Sequence, residues 1–164
     1  MEKNKVKSLK SQLVEARKKS MSLFADIAHR LETVGTFNGV EWINDSKATD
    51  IDSTYYSLEL MDKPVIWLVG SSDVEQDYSV LSKLVKYKVK NIICFGEYET
   101  QLKYSFANMV DAYAHKSTLE EAIETARDWA NNDDVVLFSP ATSSYGFYDS
   151  FRERGEHFRF LVQG

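Results

Sequence analysis

Apolar residues along this chain follow two rhythms, and the points where one gives way to the other mark its elements. Over residues 5–28, Val6, Leu9 and Leu13 recur at helical spacing among basic residues, which predicts an amphipathic helix. Residues 33–37 and 40–43 then flank Asn38-Gly39, a two-residue hairpin signal, so these segments are expected to pair antiparallel. Short apolar runs follow at residues 65–69, 91–95, 110–113 and 135–138 and read as strands. Helices are predicted between them. One, capped by Ser46 or Thr49, continues through Tyr55, Leu58 and Met61, and another over 78–87 places Leu81, Leu84 and Val85 on one face. A third over 97–108 presents Leu102 and Phe106, and a fourth runs from the capping box Ser117-Thr118-Leu119-Glu120 to about Asn131. Strand runs without strict polar alternation, separated by helices, predict an α/β, Rossmann-like fold. Its mostly parallel sheet carries helices on both faces, with an N-terminal helix and a β-hairpin added.

Composition narrows the picture. At 164 residues with 43% hydrophobic content, the chain fills one core and is short for two. Twenty basic against 25 acidic side chains leave a net charge of -5, which argues against nucleic acid as a partner. The basic residues cluster at the start, where Lys3, Lys5, Lys7, Lys10, Arg17, Lys18 and Lys19 face only Glu2 and Glu15, as a solvated helix face would. Cys94 lies within an apolar run and reads as a small buried hydrophobe, with no second cysteine for a disulfide. The basic start is not followed by an apolar segment of the signal-peptide kind, and no run approaches the ~18 apolar residues of a membrane span. No membrane partner is expected, and the expected address is cytoplasmic.

Ligands of such sheets collect at the carboxyl ends of the strands. The loops there are residues 70–73, Gly96-Glu97 and residues 139–147, and the first and last are expected to converge with residues 45–49 on one cleft. If the chain is still extended at 45–47, Asp45 and Lys47 point to the same side. Such a pair suits a nucleotide, since a carboxylate accepts from ribose hydroxyls and an ammonium offsets phosphate charge. The same packet also reads as a strand ending in a helix cap. No Gly-Lys dipeptide occurs, so a phosphate-wrapping P-loop is excluded in this chain. His29, expected before a strand, His115, expected after one, and His157 on the last helix do not have the spacing of a metal site.

Four strings in fixed order now bear on function. They are His29-Arg30-Leu31-Glu32, then Asn38-Gly39-Val40 running into Trp42-Ile43-Asn44-Asp45-Ser46-Lys47-Ala48-Thr49, then Ser139-Pro140-Ala141 with Ser144, and last Phe151-Arg152-Glu153-Arg154-Gly155 with Phe158. Over residues 24–162 the chain resembles the C-terminal domain of the Mur ligases, most of all the members that add D-glutamate. The resemblance implies a partition into an N-terminal helix or linker over 1–23 and an amino-acid-binding domain over 24–164, with the UDP-sugar and central ATPase domains outside this chain. It implies amide ligation in peptidoglycan precursor synthesis. ATP and magnesium, held mostly by the central domain, activate the carboxylate of UDP-N-acetylmuramoyl-L-alanine as an acyl phosphate, and the amine of D-glutamate, or of another amino acid, attacks. Carried over by residue, Arg30 and Asp45 meet the ribose and phosphates of ATP or ADP, and Lys47 lies by the transferred phosphoryl group, making Asp45 and Lys47 the catalytic candidates. Thr49, Ser144 and Phe151 form the amino-acid pocket, Ser144 through its hydroxyl and Phe151 through its backbone. No metal site and no tightly bound cofactor is expected in this chain, and by itself it is expected to be inactive.

Departures gather on the amino-acid side. Where the family commonly has Gly-Gly-x-Asp-Lys-Gly, this chain has Gly70-Ser71-Ser72-Asp73-Val74-Glu75, so Val74 replaces a lysine. Gly146 stands for an aspartate, Asp149 for a lysine and Asp50 for an asparagine. A non-catalytic Mur-type binding module, or a ligase for another amino acid, is the alternative these changes leave open. The ligase reading expects Arg30, Asp45, Lys47 and Ser144 to share a single crevice.

Overall fold

The computed structural model describes residues 9–22, 28–98 and 101–164. Helix α1 (Leu9–Ser22) precedes a hairpin of β1 (Glu32–Phe37) and β2 (Val40–Asn44), with Asn38 and Gly39 at φ 53 and 76. Those left-handed values suit an asparagine-glycine turn and match the twist of the paired strands. The rest alternates: α2 (Ile51–Glu59), β3 (Val65–Gly70), a 3-10 turn (Ser79–Leu81), α3 (Ser82–Lys88), β4 (Val89–Phe95), α4 (Leu102–Phe106), β5 (Ala112–Lys116), α5 (Leu119–Trp129), β6 (Val135–Phe138) and α6 (Phe151–Gln163).

One six-stranded sheet runs in the order β1-β2-β6-β3-β4-β5, and every neighbouring pair except β1–β2 is parallel. This is the predicted α/β architecture. Its central strands are apolar on both sides because both faces are covered. Leu58, Leu81, Val85, Leu102 and Phe106 from α2 to α4 pack with Trp67 and Ile92 on one face. Leu119, Ile123, Phe158 and Val162 from α5 and α6 pack with Trp42, Leu68 and Ile93 on the other. Cys94 is buried within the sheet.

Several boundaries differ from the sequence reading. The predicted first helix extends to residues 5–8 and 23–27, which lie outside those described. Neither Ser46 nor Thr49 caps α2: the chain turns tightly at 45–48, where the Ala48 amide donates to the Asp45 carbonyl at 2.9 Å, and the cap is the extended Asp50, whose carboxylate accepts from the Ser53 amide at 2.7 Å. The capping box is shifted by one, with Thr118 accepting from the Glu121 amide and Glu121 accepting from the Ser117 amide. Strand β5 starts two residues later than expected because its pairing begins at Asn91↔Ala112, and His115 therefore lies within it. Helix α4 is a short piece of the segment predicted over 97–108.

Helix α6 carries a glycine where a side chain has no room. A Cβ on Gly155 would stand 2.2 Å from His29 Nδ1. We expect Gly155→Ala to lower the unfolding free energy by about 1–3 kcal/mol despite alanine's better helix propensity. Urea titration of the purified variant checks this; an unchanged midpoint would mean that α6 does not seat on the loop at 28–31.

Candidate functional site

Asn44 closes β2 and ties three segments together. Its Nδ2 lies 2.9 Å from His29 Nδ1, 3.1 Å from Glu32 Oε2 and 3.2 Å from the Gly155 carbonyl, and its Oδ1 accepts from the Ser46 amide at 3.2 Å. Burial lowers the His29 pKa, with Glu32 acting in the other direction, so the neutral ring accepts from Asn44. His29 and Leu31 hold φ values of 67 and 45 on either side of Arg30. Non-glycine residues in this region cost of order 1–3 kcal/mol each and persist only where the surroundings fix them. Here the His29 carbonyl accepts from the Lys47 amide at 2.9 Å, and the Leu31 amide donates to Asp45 Oδ1 at 3.2 Å. Arg30 is thus presented by a loop locked onto the turn that carries Asp45 and Lys47.

That turn corrects the extended geometry expected for the pair. Asp45 points inward and is 2% exposed; its Oδ2 accepts from Ser57 Oγ at 2.5 Å and from Ser139 Oγ at 2.8 Å. Burial pushes its pKa up to about 6, against the bonds from Ser57, Ser139 and the Leu31 amide and the charge of Arg30. Lys47 is half-buried, with its ammonium 5.9 Å from the centre of the Phe151 ring. Arg30, Asp45 and Lys47 nonetheless line one cavity of about 580 Å³, bounded by Ser53 and Tyr56 of α2 and by Leu13 of α1.

Ser144 lines a different cavity, of about 620 Å³, at the carboxyl ends of β3, β4 and β6. The single crevice expected for Arg30, Asp45, Lys47 and Ser144 is therefore two adjoining cavities. The loops at 70–74 and 142–148 converge on the second, but Asp45, Lys47 and Ala48 line the first. Between them stands Arg154, which the sequence reading passed over: its Nε donates to Ser46 Oγ at 3.0 Å, Nη2 to the Ser46 carbonyl at 2.8 Å and Nη1 to the Thr142 carbonyl at 3.0 Å. Ser46 Oγ in turn donates to the Phe151 carbonyl at 2.8 Å, so the backbone of Phe151 is engaged in this wall. Thr49 is exposed and lines neither cavity.

The second cavity holds aromatic and acidic groups. Tyr148 Oη lies 2.7 Å from His157 Nδ1, and burial pushes the tyrosine pKa up to about 12. Val74 and Gly146 line it too, as do Asp73, Glu97 and Glu120. Among the described residues, no group of three or more His, Cys, Asp or Glu side chains is placed to hold a metal ion, and no helix is long and apolar enough to cross a membrane. Asn44, Ser57, Ser139 and Arg154 are the site residues missed from sequence. Asn44, Ser139 and Arg154 stood inside the quoted strings, but no spacing rule announces that a serine 94 positions away will meet Asp45.

Comparison with known proteins adds to this geometry. Residues 29–142 match the family profile described as Mur ligase, glutamate ligase domain. The chain is 41% identical over 143 residues to a UDP-N-acetylmuramoylalanine–D-glutamate ligase of Cytophaga hutchinsonii, covering 87% of this chain and 32% of that protein. It is 36% identical over 146 residues to the enzyme of the same name from Salinibacter ruber, covering 89% and 32%. The chain thus spans about a third of the length of these curated relatives. Among solved structures, the MurF ligase of Thermotoga maritima in complex with ADP superposes with a TM-score of 0.55 at 16% identity, covering 84% of this chain and 32% of that one. A bifunctional folylpolyglutamate synthase/dihydrofolate synthase of Yersinia pestis, complexed with AMPPNP and a manganese ion, does so at 0.54 and 16%, covering 83% and 32%. At such identities the structures share the fold.

Proposed function

The chain belongs to the Mur ligase family through its glutamate ligase domain, and from this premise we propose that it is the amino-acid-binding, nucleotide-closing part of an ATP-dependent ligase. That ligase adds D-glutamate to UDP-N-acetylmuramoyl-L-alanine in the cytoplasm, as a step of peptidoglycan precursor synthesis. The observation that carries this reading is the turn at 45–48, which turns Arg30 and Lys47 toward one cavity and, through Ser46 and Arg154, abuts the cavity of Ser144. Amide ligation needs a nucleotide and an incoming amine brought side by side, and two cavities sharing one wall do that.

The first cavity fits the ribose and phosphates of ATP or ADP. Arg30 and Lys47 supply two cations, and Lys47 sits on the Phe151 ring, which limits where its ammonium points. ATP, when bound, supplies the phosphoryl group that activates the acceptor carboxylate. Lys47 offsets charge on that group, and Asp45 works from beneath by fixing the turn through Ser57 and Ser139. Magnesium and the UDP-sugar are assigned in this reading to the other domains of the ligase, with α1 (Leu9–Ser22) in the link to them. Ser144 faces the amino acid, with the Phe151 backbone held in the adjoining wall through Ser46, while Thr49 lines neither cavity.

Titration of ADP into the isolated chain, followed by backbone amide NMR, tests the assignment of the two cavities. The signals of Lys47, Ser53 and Tyr56 should move, with weak saturation, while those of Ser72 and Ser144 stay. No phosphate should be released on mixing the chain with ATP, magnesium, UDP-N-acetylmuramoyl-L-alanine and D-glutamate. Movement confined to the second cavity, or steady turnover by the isolated chain, would refute the reading.

A further inference from the structure

Arg154 is the least expected charge in the molecule. It is 2% exposed, yet its three hydrogen bonds all go to neutral acceptors, the Ser46 hydroxyl and carbonyl and the Thr142 carbonyl. A guanidinium has five N–H donors, so one on Nη1 and one on Nη2 are left over. It forms no ion pair with any described carboxylate. Buried charges are ordinarily paired, because the cost of removing them from water is otherwise not offset. Burial lowers its pKa to about 10, and the titratable neighbour acting against that shift is Tyr148, not an acid. Even so lowered, Arg154 is a cation at neutral pH.

The same side chain lines the second cavity beside Ser144, Tyr148 and His157. Ser144 is buried and carries a hydroxyl; Tyr148 and His157 are bonded to each other. Val74, across the loop at 70–74, is apolar and 67% exposed, and brings no charge. Among the described residues lining this cavity, Arg154 is the permanent cation, beside the His157 ring, and the acids are Asp73, Glu97 and Glu120.

The geometry points to Arg154 as the anchor for a carboxylate of the incoming amino acid, which enters the second cavity and completes the buried guanidinium's ion pair with Ser144 alongside. This rests on the proposed ligase reading for the identity of the ligand, and adds to it the residue that holds one carboxylate in a chain whose loop at 70–74 offers no cation. Two N–H donors in a planar fork match a carboxylate, and a charge-assisted pair of this kind is stronger than a neutral hydrogen bond.

The test reads Arg154 directly. In the 164-residue chain, the Arg154 Nε–H signal should shift and sharpen as D-glutamate is added up to tens of millimolar, and should not respond to the diamide of the same amino acid. Arg154→Gln should weaken D-glutamate binding roughly ten- to a hundredfold. Because that change also removes bonds to the wall at Ser46, Val74→Lys serves as the second variant: it is exposed, leaves the Arg154 contacts intact, and should tighten binding while the Arg154 signal still responds. A response to glycine or D-alanine but not to D-glutamate would sink the D-glutamate assignment and keep the anchor. An Arg154 signal that stays still in both wild type and Val74→Lys, with or without binding elsewhere, overturns the anchor itself.

Discussion

Asp45→Asn should stabilise the isolated chain near neutral pH, by about 3 kcal/mol. The expectation follows from the carboxyl's raised pKa, from the ordinary 3.8 to about 6, which burial causes. Below 3.8 the group is protonated in both folded and unfolded states and costs nothing. Between 3.8 and about 6 the folded state keeps a proton that the unfolded state has lost, so stability falls as pH rises. Above about 6 the full cost is present, and a displacement of this size corresponds to about 3 kcal/mol. Asparagine never carries the charge, and the site can satisfy it. Its Nδ2 would donate to the Ser57 and Ser139 hydroxyls, while their own hydrogens turn to the Ser53 carbonyl, 3.1 Å from Ser57 Oγ, and to Thr54 Oγ1, 2.8 Å from Ser139 Oγ. Its oxygen would still accept from the Leu31 amide. Denaturant unfolding of both proteins between about pH 4 and pH 7 checks this: the gap should be widest at the upper end and close toward the lower. A variant less stable than wild type at neutral pH would show that the charge itself holds the turn. Stability given up at a buried carboxylate that braces a cavity-lining turn is common where a site is shaped for function.

Lys47→Ala should do the reverse, leaving the fold and removing the activity. Its side chain is half-buried and meets the Phe151 ring at the outer limit of a cation–π contact, while its structural bond to the His29 carbonyl uses the backbone. Loss of stability should stay within about 1 kcal/mol. Activity is to be measured with this chain put in place of the part of the Cytophaga hutchinsonii ligase that it matches at 41% identity over 143 residues. In that hybrid, Lys47→Ala should lower kcat/KM roughly a hundred- to a thousandfold, the effect of removing one preorganised group that stabilises transition-state charge. Lys47→Arg should recover part of it. An equal loss for a neighbouring change such as Thr49→Ala, or no loss at all for Lys47→Ala, would remove Lys47 from the nucleotide side.

The fold was legible because its signals are local or periodic. Asn38-Gly39 announces a turn whose two φ values only such residues adopt readily, and the runs ending at Phe95 and Phe138 are apolar on both sides because both faces of the sheet are covered. The half-buried edge strand β5 misplaced its own start, since Val110 and Ala112 look alike to a pattern and only the pairing with Asn91 decides. Site residues were legible as strings but not as geometry. Asp45 and Lys47 stand out together in the sequence, yet whether the chain is extended or turned at Ser46 depends on a bond to the His29 carbonyl and one from Arg154, at distances in sequence that no local rule spans. The division into two cavities follows from that turn and was hidden for the same reason. Arg154 stands in one of these strings with nothing local to mark its role, because burial of a charge is a property of packing and leaves no trace in composition.

If this chain completes a D-glutamate-adding ligase, the mass of the product made by the hybrid will show it. With ATP, magnesium, UDP-N-acetylmuramoyl-L-alanine and D-glutamate, the UDP-sugar should gain the mass of one glutamate residue, with one phosphate released for each product formed and none when D-glutamate is left out. A folded hybrid that releases phosphate without extending the UDP-sugar, or that extends it equally with unrelated amino acids, would contradict the account.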